Sequence, residues 1–112
     1  MIENQAKYHI SAEEFAQKFQ KRELGHAQLI DVREPEEWEV YHLRDSQLIP
    51  LASLPTCVSK LDPKKPIYLF CAHGIRSLHA ANFLLSQGFK DVINVDGGLA
   101  EVSIYLEENG EK

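Results

Sequence analysis

The sequence predicts an α/β domain whose core is a mainly parallel sheet of about five strands with helices on both faces. Three observations lead there. Leu29–Val32, Ile67–Phe70 and Val92–Val95 are compact apolar runs of strand length, bounded by polar or turn residues. Between such runs lie segments of helical period, clearest where Leu78, Ala81, Leu84 and Leu85 recur before Gly88. Strands and helices also follow one another in strict alternation, and a parallel sheet requires that order because each parallel strand needs a crossover.

The elements can be justified in turn. Lys7 to Ile10 reads as a short first strand. Ser11 with Glu14 forms a capping box for a helix reaching about Gln20. Leu29 to Val32 is the second strand, and Glu34 to Tyr41 is a short helix with Pro35 in its first turn, where a missing N–H does no harm. Leu48–Ile49 is a stub of strand, and residues 51–60 read as one helix. Ile67 to Phe70 is the next strand, residues 75–87 a helix, Val92 to Val95 a strand, and residues 98–108 a closing helix. One domain is expected to fill residues 1–112, with its core at about 6–107 and frayed ends at residues 1–5 and 108–112. A chain of this length buries roughly two-thirds of its unfolded surface, enough for a core without disulfides or metal.

Cys71 stands where the strand Ile67–Phe70 meets the next helix, followed by Ala72, His73, Gly74, Ile75, Arg76 and Ser77. Unpaired backbone N–H groups and the positive end of the helix dipole stabilise an anion at such a junction, and Arg76 and His73 add positive charge. These surroundings lower a cysteine's pKa and favour the thiolate. Ligands of parallel sheets bind outside the carboxyl ends of the strands. Asp31 and Arg33 end one strand and Cys71 ends another, so the sheet gathers Asp31, Arg33, Cys71, His73 and Arg76 at one edge.

Composition narrows the chemistry. A net charge of −5 and the absence of a basic block argue against nucleic acid, and Lys64–Lys65 reads as a solvated turn. Residues 1–10 lack the apolar stretch of a signal peptide, and no run reaches membrane-spanning length. With two cysteines far apart, a reducing cytoplasm is the expected setting. His9, His26 and His79 form no ligand set with Cys57 or Cys71, so a metal site is not expected, and covalent chemistry on a cysteine needs no other cofactor.

Only four residues separate Cys71 from Arg76. In protein tyrosine phosphatases the corresponding stretch is one residue longer, a ring sized for a phosphoryl group. The tighter ring suits one extra sulfur atom on Cys71, and the segment Cys71–Ser77 resembles the active-site loop of the rhodanese (thiosulfate sulfurtransferase) family. The resemblance covers most of the chain. Leu29 to Trp38 is similar to the family's Asp-Val-Arg-Glu segment and following aromatic, His42–Leu43 and Leu48–Leu51 to its Gly-His-Ile and Ile-Pro-Leu segments, and Gly88–Phe89 with Val92–Gly98 to its last strand and Gly-Gly turn. Tyr41 and Asp45 stand where the family usually has glycines, which predicts a turn of different shape over residues 41–45. Val102 stands where it usually has tryptophan, which thins one wall of the fold or its pocket.

The resemblance implies a rhodanese-like fold and a sulfurtransferase. Cys71 would take sulfane sulfur from thiosulfate, glutathione persulfide or a protein persulfide. It would pass that sulfur to cyanide or a thiol, with the N–H groups from Ala72 to Ser77 around the outer atom. Plainer roles stand beside these. Arg76 either bridges to Asp31 or Glu34 or binds an anionic donor, and Arg33 has the same two readings. Asp31 pairs with neighbouring amides and arginines, His73 faces solvent or polarises a donor, and His42 orders a turn. Ser77 donates to the persulfide or satisfies the helix's first turn, and Cys57 packs or resolves an oxidised Cys71. Two rival functions remain open: a non-catalytic regulatory or docking module of the same fold, and phosphatase-type chemistry.

Overall fold

In the computed structural model, which describes residues 8–108, five strands form a single sheet. They are β1 (Tyr8–Ile10), β2 (Gln28–Asp31), β3 (Ser46–Leu48), β4 (Ile67–Phe70) and β5 (Val92–Val95). The helices are α1 (Ala12–Gln20), α2 (Pro35–Val40), α3 (Leu54–Cys57), α4 (Ile75–Ser86) and α5 (Gly98–Glu108). The strand order is β1-β5-β4-β2-β3 and every pairing is parallel, as the alternation requires. Lys7 and the expected frayed end at 1–5 lie outside the described residues; of the end expected at 108–112, Glu108 closes α5 and residues 109–112 lie outside them.

Strand residues alternate between two apolar layers. Ile30, Ile67, Leu69 and Val92 face α4 and α3, where they pack with Leu54, Ala80, Ala81 and Leu84. Leu29, Phe70 and Val95 face the other way, onto Phe15, Phe19, Leu99, Val102 and Leu106 of α1 and α5. The Phe15 ring centres that second layer, 5.8 Å from Phe70 and 5.7 Å from Tyr68. Val102 is fully buried there. Its missing aromatic is therefore a matter of packing beneath α5, in the layer opposite the one that holds Cys71.

Two expected elements change shape. The helix read over residues 51–60 is three short pieces: a 3₁₀ turn at Leu51–Ser53, α3, and a second 3₁₀ turn at Val58–Lys60. Pro55 explains the first break, since it has no N–H to return to Leu51, whose carbonyl instead accepts from Leu54. The strand stub expected at Leu48–Ile49 is β3, and Ile49 continues its pairing past the strand end by donating to the Asp31 carbonyl. Residues 41–45 keep the glycine-like turn at one position only: Asp45 adopts φ 64°, whereas Tyr41 is extended at φ −165°. Asp tolerates the left-handed region better than most side chains.

The topology places the site. The connection from β2 runs outward to the edge strand β3, and that from β4 runs the opposite way to β5. The carboxyl ends of β2 and β4 are neighbours, with Asp31 opposite Phe70. This is a switch point of the sheet, where a parallel α/β fold leaves a crevice.

Candidate active site

Cys71 follows β4 on the same face as Ile67 and Leu69 and is only 1% exposed. Its Sγ receives the backbone N–H of Gly74 at 3.1 Å and that of Ser77 at 3.4 Å, and it lies 3.5 Å from Ser77 Oγ. Burial disfavours the thiolate. The Ser77 hydroxyl and the N–H groups of Ser77, His73 and Gly74 outweigh that penalty and hold the thiol below its ordinary pKa. The expected lowering is present and rests on the loop N–H groups that the sequence points to, joined by the Ser77 hydroxyl, whereas Arg76 is held by Glu37.

Two glycines let the chain close so tightly. Gly74 is the N-cap of α4 at φ 95°, a left-handed conformation that turns its N–H onto the sulfur. Gly98 starts α5 directly against the loop: a Cβ there would stand 2.6 Å from the Cys71 and Ala72 carbonyl oxygens. Those carbonyls accept from the N–H groups of Leu99 and Ala100 at 2.8 and 2.9 Å. The first turn of α5 thus satisfies the carbonyl side of the loop, while the N–H groups of Gly74 and Ser77 turn onto the sulfur. Asn94, a polar residue within the apolar β5, sends its amide toward the Gly74 carbonyl at 3.5 Å and to Asp96 at 3.0 Å.

The sheet brings Asp31, Arg33, Cys71, His73 and Arg76 to one edge, as the sequence predicts, and it sorts them by partner. Asp31 is fully buried and takes Arg33 through its backbone N–H at 3.0 Å, Nε at 3.0 and 3.1 Å, and Nη2 at 2.8 Å. Arg33 Nη2 also reaches the Tyr41 carbonyl at 2.6 Å, tying the end of β2 to the end of α2. Arg76 bridges to neither Asp31 nor Glu34. It makes a two-pronged bridge to Glu37 on α2, with Nη1 and Nη2 at 2.8 and 3.0 Å from the two carboxylate oxygens. The Arg76 hydrogen bonds, with that from the Glu34 N–H, pull Glu37 down from 4.5 to about 2. The same bridge raises Arg76, and the Cys71 charge adds to this to a smaller extent.

Glu37 is the residue that sequence reasoning missed. Its signal is faint: an acid in the third position of a helix that begins at the end of a strand beside β4. The other candidates take quiet positions. Ala72 and Arg76 are half-buried, His73 and Ile75 face solvent, and Ser77 is buried under the sulfur. His42 stacks on Trp38 with ring centroids 3.7 Å apart and its Nδ1 2.8 Å from the Trp38 carbonyl, so it orders the turn after α2. Cys57 is half-buried against the same apolar layer as Cys71, and both are free thiols. His9 pairs with Asp96 at 2.8 Å. Among the described residues no cluster of His, Cys, Asp and Glu is placed to hold a metal ion, and no helix is long and apolar enough to cross a membrane. A cavity of about 410 Å³ lined by Phe19, Arg22, Leu24, Arg44 and Asp45 lies where β2 and β3 begin, away from the cysteine loop at the other end of β4.

Comparison with known proteins agrees with this fold. The model of the rhodanese-like domain matches residues 11–104. Thiosulfate sulfurtransferase GlpE of Pseudomonas syringae is 43% identical over 77 residues, which cover 69% of this chain and 72% of that protein. The rhodanese-like/PpiC domain-containing protein 12 of Arabidopsis thaliana, a chloroplastic protein, is 42% identical over 88 residues; the match covers 75% of this chain but only 29% of the plant protein. Among solved structures, a rhodanese-like domain protein from Staphylococcus aureus superposes with a TM-score of 0.77 at 28% identity, covering 85% of this chain and 90% of that one.

Proposed function

The chain belongs to the rhodanese-like domain family, and from that premise we propose that it is a sulfurtransferase working through a persulfide on Cys71. One observation carries the proposal: the Gly74 and Ser77 N–H groups and the Ser77 hydroxyl converge on Cys71 Sγ and favour its thiolate. The resemblance to thiosulfate sulfurtransferase GlpE supports the same reading.

The thiolate attacks the outer sulfur of a donor of the form X–S, where X is sulfite in thiosulfate or a thiol in a persulfide. A bond forms between Sγ and that sulfur as the bond from the donor breaks, and the donor leaves with the electron pair as sulfite or thiolate. The remaining N–H groups of the loop from Ala72 to Ser77 meet the outer sulfur's charge much as an oxyanion hole meets developing charge. A thiol or cyanide then attacks the outer sulfur, and the thiolate returns. This is covalent catalysis in two displacements, with ping-pong kinetics, no cofactor and no metal. Asp31 and Arg33 support the edge from which the loop hangs. The domain occupies the chain as one unit, and a free thiol at its centre suits a reducing compartment such as the cytoplasm.

Intact-mass measurement tests the proposal. Incubation with thiosulfate or glutathione persulfide is expected to add one sulfur atom to the protein, removable by cyanide. Cys71→Ser should abolish the addition and Cys57→Ser should retain it. Sulfur found on Cys57 alone, or none from any donor, would favour the non-catalytic module instead.

A further inference from the structure

Both arginines that the sequence brings to the cysteine loop are already neutralised by carboxylates. Arg33 is held by buried Asp31 through Nε and Nη2 and by the Tyr41 carbonyl through Nη2. Arg76, next to the loop's helix start, is held by Glu37 in a two-pronged bridge. Besides the solvent-facing His73 imidazole, what the loop offers an incoming donor is therefore a set of N–H dipoles and one hydroxyl, with both arginine charges offset by carboxylates. Such dipoles stabilise the single charge of a thiolate or persulfide sulfur, whereas a dianion draws much of its binding from a charged, hydrogen-bonded partner. The rim also carries apolar surface. Ile75, the residue before Arg76, is 67% exposed, and Val40, which shares a helix face with Glu37 three positions earlier, is 87% exposed.

From this arrangement we propose that Glu37 sets donor choice by occupying Arg76, so that the site favours the persulfide of an organic thiol over dianionic thiosulfate. The inference rests on the sulfurtransferase reading above and deepens it. An organic persulfide brings at most one charge at its reacting end, and its carbon body can lie against Ile75 and Val40. The step balances without an oxidant: Sγ gains the donor's outer sulfur, the donor's S–S bond breaks, and the organic thiolate departs with the pair. Thiosulfate would undergo the same exchange and release sulfite, but its sulfonate would have to approach a bridge whose net charge is zero.

Glu37→Gln separates charge from architecture. Gln at the third helical position keeps the acceptor for the Glu34 N–H, so the start of α2 is preserved. It removes the negative charge that holds Arg76. The second-order rates of Cys71 persulfide formation from thiosulfate and from glutathione persulfide, followed by intact mass, are compared in the two proteins. The ratio of the thiosulfate rate to the glutathione persulfide rate is expected to rise about fivefold in the variant, the scale of one half-exposed ion pair. The gain should shrink as salt screens the freed guanidinium. A second variant, Glu37→Asp, retains the charge and should leave the ratio near that of the wild type. A ratio that does not move in Glu37→Gln, or that moves equally in Glu37→Asp, overturns the inference while leaving sulfur transfer intact. Loading from neither donor overturns both.

Discussion

Two arginine–carboxylate bridges stand at the same edge of the sheet, and their surroundings give them different work. The Asp31–Arg33 bridge is buried, with side chains 0% and 8% exposed, and it fixes β2 to the turn after α2. The Glu37–Arg76 bridge has side chains 34% and 36% exposed and joins α2 to the start of α4, beside the cysteine loop. Burial makes each partner of a bridge indispensable to the other, because removing one strands a charge that water cannot reach. Partial exposure makes a bridge cheap to break and therefore suited to tuning charge at a site mouth. The comparison teaches that residue type and position at the sheet edge do not settle an arginine's role; its partner and its access to water do.

The largest effect should follow from breaking the buried bridge. Asp31→Ala is expected to destabilise the fold by about 3 kcal/mol or more, read by urea denaturation. The double variant Asp31→Ala/Arg33→Met should recover a large part of that loss, since no buried charge is left alone. Equal destabilisation in the single and double variants would mean that Arg33 matters through the Tyr41 carbonyl and not through Asp31.

The exposed bridge should matter much less to stability. Glu37→Gln is expected to lower it by less than about 1 kcal/mol at neutral pH. The sign follows from the depressed carboxylate: Glu37 falls from 4.5 to about 2 on folding, so its contribution is complete above pH 4.5 and disappears as pH drops through about 2. The stability difference between wild type and Glu37→Gln should therefore narrow across that window. A difference that stayed constant down to pH 2 would assign the effect to packing.

The smallest change should follow Asp45→Gly, in the turn that the buried bridge holds. Asp45 sits at φ 64°, and Asp45→Gly should shift stability by less than about 0.5 kcal/mol, because relief of local strain is offset by a freer unfolded chain. Asp45→Val should destabilise by about 1–2 kcal/mol, since a branched side chain is poorly tolerated there. Denaturation midpoints of the two variants decide the matter, and equal midpoints would remove the left-handed turn from the account.

Much of this was readable from local pattern. The runs Ile67–Phe70 and Val92–Val95 become β4 and β5 at their expected bounds, because a short apolar run between turns has few other ways to bury itself. The junction of strand, Cys71 and helix was equally legible, since it needs only neighbours in sequence. Residues 51–60 were harder. Their apolar spacing suits a continuous helix, yet Pro55 withholds one hydrogen bond and the segment breaks into turns. The partner of Arg76 was not legible at all. Glu37 lies far away along the chain and meets Arg76 only because β2 and β4 pair in one register, with α2 and α4 leaving from adjacent strand ends. The sequence offers Asp31 and Glu34 as partners, and the direction of α2 brings Glu37 to Arg76 instead.

The central claim is that loop hydrogen bonds, and not the arginines, hold the charge of Cys71. The pH profile of iodoacetamide alkylation at Cys71, read by peptide mass, tests it directly. The wild-type midpoint should lie below that of an ordinary thiol. The neutralised pair Glu37→Gln/Arg76→Gln should leave the midpoint where it is, and Ser77→Ala, which removes the hydroxyl beside the sulfur, should move it upward. A midpoint that rises with the neutralised pair and stays put in Ser77→Ala would contradict the account and return the charge of Cys71 to Arg76.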